Sequence, residues 1–149
     1  MTDIIKIANI ENYQQEIVDG TLILTPKKTH LSEPELTSIG LENSTILSCS
    51  IKNEDETIST KVTYRSILID IWKSMPTQKI FQNTAFNFKL SNENGLKGYN
   101  WSPEINMSFQ NKDAKNTMKE IVNMVKLNKY TINICIKLES NKNVWFKIE

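Results

Sequence analysis

The chain has 149 residues, two cysteines and a formal net charge of +1. This length suits one domain whose core folds without disulfides or structural metal. The sequence contains no apolar run near the ~20 residues of a membrane span and no secretory leader pattern at its start, so we expect an intracellular, cytoplasmic protein with no membrane contact.

The first predicted element is a helix over residues 10–18, which Gly20 follows in the C′ position that often ends a helix. Apolar residues at helical spacing support this helix: Ile10, Tyr13, Ile17 and Val18. A short strand is predicted over residues 21–25. Residues 26–43 contain two prolines and no hydrophobic period, so they are predicted to form a long loop that serves as a contact loop or a poorly ordered bridge.

The middle of the chain predicts a hairpin followed by a helix. Two alternating runs flank the polar stretch 52–56 and predict its strands. Their members are Leu47, Cys49 and Ile51 in the first run and Ile58, Thr60 and Val62 in the second. A single apolar stripe over residues 64–75 predicts the helix, which Pro76 ends or interrupts. A further turn over residues 79–82 is left open.

The last third of the chain predicts a strand, a helix and a two-stranded hairpin, after an earlier strand over residues 86–90. The alternating residues of the three strands are Ile105, Met107 and Phe109, then Tyr130, Ile132, Ile134, Ile136 and Leu138, then Val144, Phe146 and Ile148. The helix has one apolar stripe over residues 114–125, and Asp113 is placed to cap the free amides of its first turn.

The order of these elements predicts the fold class. Pairs of strands separate the helices, whereas a doubly wound parallel sheet alternates single strands with helices. We therefore expect a single globular domain over residues 1–149 with an α+β fold. It should have a mainly antiparallel sheet, two or three helices and a C-terminal β-α-β-β unit.

The sequence contains none of the common catalytic motifs. His30 is the only histidine, and Cys49 and Cys135 lack a Cys-x-x-Cys spacing, which favours reduced cysteines in the core. The glycine patterns that bind phosphates or dinucleotides are also missing. We therefore expect no cofactor and no metal, and the sequence favours a non-enzymatic function.

An enzymatic function is the least favoured of three hypotheses, and it takes the form of a metal-dependent nuclease-like enzyme. Such a site needs only two or three carboxylates and a lysine around Mg²⁺. The acids available for it are Glu54, Asp55, Glu56, Asp70 and Glu104, with Lys61 or Lys112 as the cation. The first three lie in the predicted hairpin turn, where runs of acids are usually solvated surface.

The segment 95–103 supports the first functional hypothesis. It contains two glycines and presents Tyr99 and Trp101, and these residue types are enriched at binding hot spots. The hypothesis is a non-enzymatic protein-interaction or assembly module that binds a protein partner through this aromatic loop. The alternative for Trp101 is a packing role over the end of the sheet.

The outer face of the C-terminal hairpin is a second candidate surface. Cys135 and Trp145 are apolar at positions where a solvated sheet carries polar residues. This patch fits either self-association or a cover by the helix over residues 10–18. We favour the cover, because that helix needs a surface on which to bury its own apolar residues.

Nucleic-acid binding is the first alternative function, because charge is unevenly distributed. Residues 1–60 have a net charge of −6, and residues 61–149 have a net charge of +7. The helix region 112–129 supplies the candidate lysines: Lys112, Lys115, Lys119 and Lys126. The chain has only one arginine, Arg65, although arginine is preferred for phosphate recognition, and we therefore favour a solvated helix surface.

Overall fold

The computed structural model describes residues 13–26, 29–85 and 88–149. Within these ranges the protein has an α+β fold with four helices and ten strands. Only one pair of neighbouring strands is parallel there, so the predicted fold class is confirmed. No helix in these ranges combines the length and the apolar character needed to span a bilayer.

The elements have the following bounds. The strands are β1 (Tyr13–Val18), β2 (Thr21–Pro26), β3 (Thr29–Leu31), β4 (Thr45–Asn53), β5 (Glu56–Ser59), β6 (Leu90–Ser91), β7 (Asn100–Ser102), β8 (Met107–Phe109), β9 (Thr131–Lys137) and β10 (Asn143–Ile148). The helices are α1 (Glu33–Ser38), α2 (Tyr64–Lys73), α3 (Thr77–Asn83) and α4 (Ala114–Leu127).

A five-stranded sheet with the order β3-β10-β9-β4-β5 forms the largest layer. Both predicted hairpins, β4–β5 and β9–β10, are present in it. The register of β4 against β9 shifts between Ile46 and Ser48. This bulge leaves Leu47 46% exposed and buries Ile46, so Leu47 does not share the buried side of the strand with Cys49 and Ile51.

The helices α2 and α4 form at the predicted positions. Asp113 caps α4 as predicted, because its carboxylate accepts the N–H of Asn116 at 2.7 Å. Their apolar stripes join the sheet in one core, which includes Ile67, Ile71, Met118, Ile121 and Ile134. The turn that the sequence leaves open after Pro76 is the separate helix α3.

A small second sheet has the order β6-β8-β7. Its central strand β8 is buried at all three positions. Because β8 pairs with β6 and β7, it is not part of the main sheet. The predicted β-α-β-β order is therefore correct along the chain, although its first strand pairs elsewhere. Of the strand predicted over residues 86–90, only Leu90 is in β6, and residues 86–87 lie outside the described ranges.

The prediction of an N-terminal helix is wrong for the part that the structure describes. Residues 13–18 form β1, which pairs antiparallel with β2. Asp19 and Gly20 have φ angles of 49° and 77°, and positive φ at both positions is the conformation of a two-residue type I′ hairpin turn. The hairpin therefore prevails over the helical spacing of the apolar residues. Residues 10–12 lie outside the described ranges.

The prediction of a long loop over residues 26–43 is also wrong. This segment contains β3, which pairs parallel with β10, and the helix α1. A capping box starts α1: Ser32 Oγ accepts the N–H of Glu35 at 3.3 Å, and the Glu35 carboxylate accepts the N–H of Ser32 at 3.0 Å. Local hydrogen bonds thus order a segment that has little hydrophobic period.

Candidate functional site

The clearest candidate site is a concave surface of about 350 Å³ where the first turns of α2 and α4 meet the small sheet. We call it the Arg65 groove. Six side chains define its chemistry: Tyr64, Arg65, Phe88, Phe109, Asn111 and Lys112. Among the described residues, the lining contains two cations, three aromatic rings and no carboxylate.

Helix caps place the polar residues of the groove. Thr63 Oγ1 accepts the N–H of Ser66 at 3.2 Å, and this cap puts Tyr64 and Arg65 in the first turn of α2. Asn111 and Lys112 immediately precede the cap of α4. Because the first turn of α2 contains no acidic residue, the partial positive charge of its amides is not neutralised within that turn.

Arg65 is held by an aromatic ring. Its Cζ atom lies 5.2 Å from the centroid of Phe109, which is only 2% exposed. This cation–π contact restricts the guanidinium while leaving its N–H groups available for hydrogen bonds. In the described ranges, no carboxylate oxygen lies within 4.0 Å of a guanidinium nitrogen of Arg65, so Arg65 makes no ion pair there.

The aromatic wall of the groove rests on the core. Trp72 is fully buried and makes edge-to-face contacts with Phe88 at 5.8 Å and with Phe109 at 5.2 Å between ring centroids. Edge-to-face packing is a favourable arrangement for aromatic rings. Phe88 itself is half-buried, so part of this ring is available to a ligand.

Tyr64 also lines the groove. Its hydroxyl lies 2.7 Å from Ser44 Oγ. Burial raises the pKa of Tyr64, and the hydrogen bond with Ser44 offsets this only in part. The residue is therefore a neutral phenol with a fixed ring at physiological pH.

Glu104 lies close enough to Arg65 to affect the charge near the groove. Hydrogen bonds, first from Ser102 and then from its own backbone, lower the pKa of Glu104, and the charges of Arg65 and Lys73 lower it further. Glu104 is exposed and is not part of the groove lining. It reduces the positive potential around Arg65 without occupying the groove.

The predicted aromatic residues lie elsewhere. Trp101 is half-buried in β7, opposite Ser108 of β8, and Tyr99 is half-buried in the turn before it. The predicted loop 95–103 therefore ends in a strand, and neither ring is fully presented to solvent. Their role in binding a protein partner stays a prediction.

The predicted lysines separate into two groups. Lys112 lines the Arg65 groove, whereas Lys115, Lys119 and Lys126 follow one side of α4. Lys126 makes an ion pair with Glu33 of α1 at 3.0 Å, so its charge is partly neutralised. The helix itself spans Ala114–Leu127 instead of residues 112–129.

Glu120 follows Lys119 directly in the sequence of α4, and glutamate is a residue type that usually faces solvent. It is instead completely buried. Its Oε2 atom accepts the N–H of Ala85 at 2.9 Å, and its Oε1 atom accepts Asn123 Nδ2 at 3.4 Å. Burial raises the pKa of Glu120 to about 7, although both hydrogen bonds oppose this shift.

The structure does not bring the predicted metal ligands together. Glu54 and Asp55 form the β4–β5 turn and Glu56 begins β5, while Asp70 accepts a hydrogen bond from Ser59 at 2.8 Å. In the described ranges, no group of three or more His, Cys, Asp or Glu residues is placed to hold a metal ion.

Cys49 and His30 are also separate. Neither cysteine forms a disulfide within the described ranges, and both are buried. Burial, followed by the charge of Asp70, raises the pKa of Cys49 to about 12. In the main sheet, β10 and β9 lie between β3, which contains His30, and β4, which contains Cys49. Three strand spacings are roughly 14 Å, so the two residues do not form a catalytic pair.

The Arg65 groove was not predicted from the sequence. The lack of a second arginine in the chain argues against nucleic-acid binding at that level. The available signal was local: a threonine cap followed by an arginine in a helix turn without acids. The contact of Arg65 with Phe109 joins distant parts of the chain, and no local pattern predicts it. Comparisons with protein-family models, curated proteins and solved structures found no match to this chain.

Proposed function

We propose that this protein binds single-stranded nucleic acid and holds one nucleotide unit in the Arg65 groove. The observation that supports this proposal is the guanidinium of Arg65, fixed over Phe109 and lining the same concavity as Lys112. Arginine binds phosphate through paired N–H donors and also stacks on planar rings. Combined cations and aromatic rings are the usual means of binding single strands.

The size of the groove favours one nucleotide unit. Its volume of about 350 Å³ is at the lower end of the range for small-ligand pockets, roughly 300–1,000 Å³. Tyr64 and Phe88 provide apolar walls for a base, while Lys112 and Arg65 provide the charges for its phosphate. Because Arg65 is exposed, the groove is open to solvent and leaves room for the flanking strand.

Fluorescence anisotropy with a labelled oligothymidine at low salt tests this proposal. We expect Arg65→Gln to weaken binding by about 10-fold or more, since hydrogen bonds to charged groups contribute about 1.5–3 kcal/mol each. Arg65→Lys should recover only part of the affinity, because a lysine lacks the planar fork. Lys112→Gln should weaken binding. It should also reduce the slope of log affinity against log salt concentration by about 1, which corresponds to the loss of one phosphate contact.

Lys61→Gln is the matched control. Lys61 is an exposed lysine of the basic part of the chain and does not line the groove. Equal losses for Lys61→Gln and Arg65→Gln would contradict the proposal, as would the absence of binding at low salt. Competition by free nucleotides as strong as that by the oligonucleotide would identify a mononucleotide as the ligand instead.

A further inference from the structure

The N-terminal hairpin of β1 and β2 has exposed apolar side chains on both faces. Ile17 is 74% exposed, Val18 41%, Leu22 37% and Ile23 42%. Among the described residues the two strands pair only with each other, and a single two-stranded hairpin is only marginally stable in water. The hairpin would gain most from a further strand along one of its edges.

The sequence of β2 is symmetric about its centre. Residues 21–25 are Thr-Leu-Ile-Leu-Thr, and this order is the same in both directions. Two copies of the strand that pair antiparallel about Ile23 therefore place Ile23 opposite Ile23, Leu22 opposite Leu24 and Thr21 opposite Thr25. A two-fold symmetric contact requires such self-complementarity, and a strand without charges meets no like-charge repulsion in it.

On the edge of β2 away from β1, the backbone N–H and C=O groups belong to the residues that this symmetric pairing requires. Val18 and Thr21 flank the type I′ turn and form the closing hydrogen-bonded pair of the hairpin. Because the direction of the N–H and C=O groups alternates along a strand, Ile23 bonds to β1, whereas Leu22 and Leu24 direct their backbone groups to the free edge. In the symmetric pairing these groups form four backbone hydrogen bonds.

We infer that β2 pairs with β2 of a second copy of this chain, so that the protein forms a two-fold symmetric homodimer through a four-stranded sheet. Leu22 and Leu24 of both copies lie on one face, together with Ile17, which is opposite Leu22 in the hairpin. This pairing joins the apolar residues on this face of the two hairpins into a stripe. Pro26 lacks an N–H group and limits the new ladder to the five central residues.

Sedimentation velocity over a wide range of protein concentration tests the dimer. The full-length protein should dimerise, and Ile23→Lys should raise the dimer dissociation constant at least about 10-fold, because it places two like charges directly opposite each other. Leu47→Lys is the matched control: Leu47 is 46% exposed on the bulge of β4 and makes no part of this contact. Far-UV circular dichroism should show that both variants remain folded.

Disulfide trapping tests the register. A residue on the two-fold axis lies opposite its own copy in a non-hydrogen-bonded pair, where the Cα atoms approach to about 4.5 Å and a disulfide fits. Ile23→Cys should therefore form a covalent dimer on mild oxidation, whereas Thr21→Cys alone should not. A full-length protein that stays monomeric at every concentration, a dimer that Ile23→Lys leaves intact, or equal trapping of the two cysteine variants would overturn the inference.

Discussion

At the scale of single residues, Glu120 has the most unusual environment. It is a completely buried carboxyl group on the side of α4 that contacts the segment after α3. Asn123 supports the same segment, because its Nδ2 atom donates to the Asn83 carbonyl at 3.2 Å. The two side chains attach the end of α3 to α4, and the ionisation of Glu120 determines how stable this attachment is.

We expect the stability of the protein to decrease as the pH rises from about 4.5 to about 7. The pKa of Glu120 is about 7 in the folded protein, against an ordinary value of 4.5, so in this interval the unfolded chain loses its proton while the folded chain keeps it. The cost reaches about 3 kcal/mol above pH 7. Urea unfolding of Glu120→Gln at several pH values should show a flatter profile than the parent.

Glu56→Gln is the control for this titration, because it removes an exposed glutamate on β5. Its profile should match that of the parent. If Glu120→Gln keeps the full decrease between pH 4.5 and 7, another group causes the pH dependence.

At the scale of secondary-structure elements, the caps explain which predictions were correct. Both α2 and α4 combine a long apolar stripe with a capping residue, and these two local signals agree. The helix α1 has only six residues and one buried residue, Leu36, so periodicity does not detect it. Its Ser-x-x-Glu sequence at Ser32 and Glu35 is nevertheless a capping-box signature that the sequence analysis overlooked.

The capping box should contribute measurably to the stability of α1. We expect Ser32→Ala to cost about 1 kcal/mol, because it leaves the N–H of Glu35 without its side-chain acceptor. Native-state hydrogen exchange of the α1 amides measures this local effect. Ser140→Ala is the control, because it removes an exposed hydroxyl in the β9–β10 turn, and it should leave the exchange of the α1 amides unchanged. If Ser32→Ala reduces the protection of these amides no more than Ser140→Ala does, the role of the cap is contradicted.

The N-terminal hairpin and the Arg65 groove show why other features were not predictable by the same means. Ile17 and Val18 fit both a helix and a strand, and the Asp19-Gly20 turn decides between them. The groove depends on contacts between the start of α2 and β8, which are remote in the sequence. Periodicity and caps describe neighbours along the chain, so they predict elements better than the sites formed between them.

At the scale of the whole molecule, stability should be unevenly distributed. Strand β9 is bonded to β10 on one side and β4 on the other, and Ile132, Ile134 and Ile136 are fully buried. We expect the β9 amides to exchange most slowly in native-state hydrogen exchange, far more slowly than those of residues 29–38. Equal exchange rates in the two segments would show that the sheet opens as one unit.

The parallel pairing of β3 with β10 has a consequence for synthesis. A ribosome makes residues 29–31 early, yet their only strand neighbour in the described chain consists of residues 143–148. The ion pair between Glu33 and Lys126 also joins an early segment to a late one. The strand β3 therefore has no partner in the main sheet until residues 143–148 have left the ribosome, and contacts of such long sequence separation slow folding. Once β10 has formed, its outer edge stays exposed until β3 pairs with it.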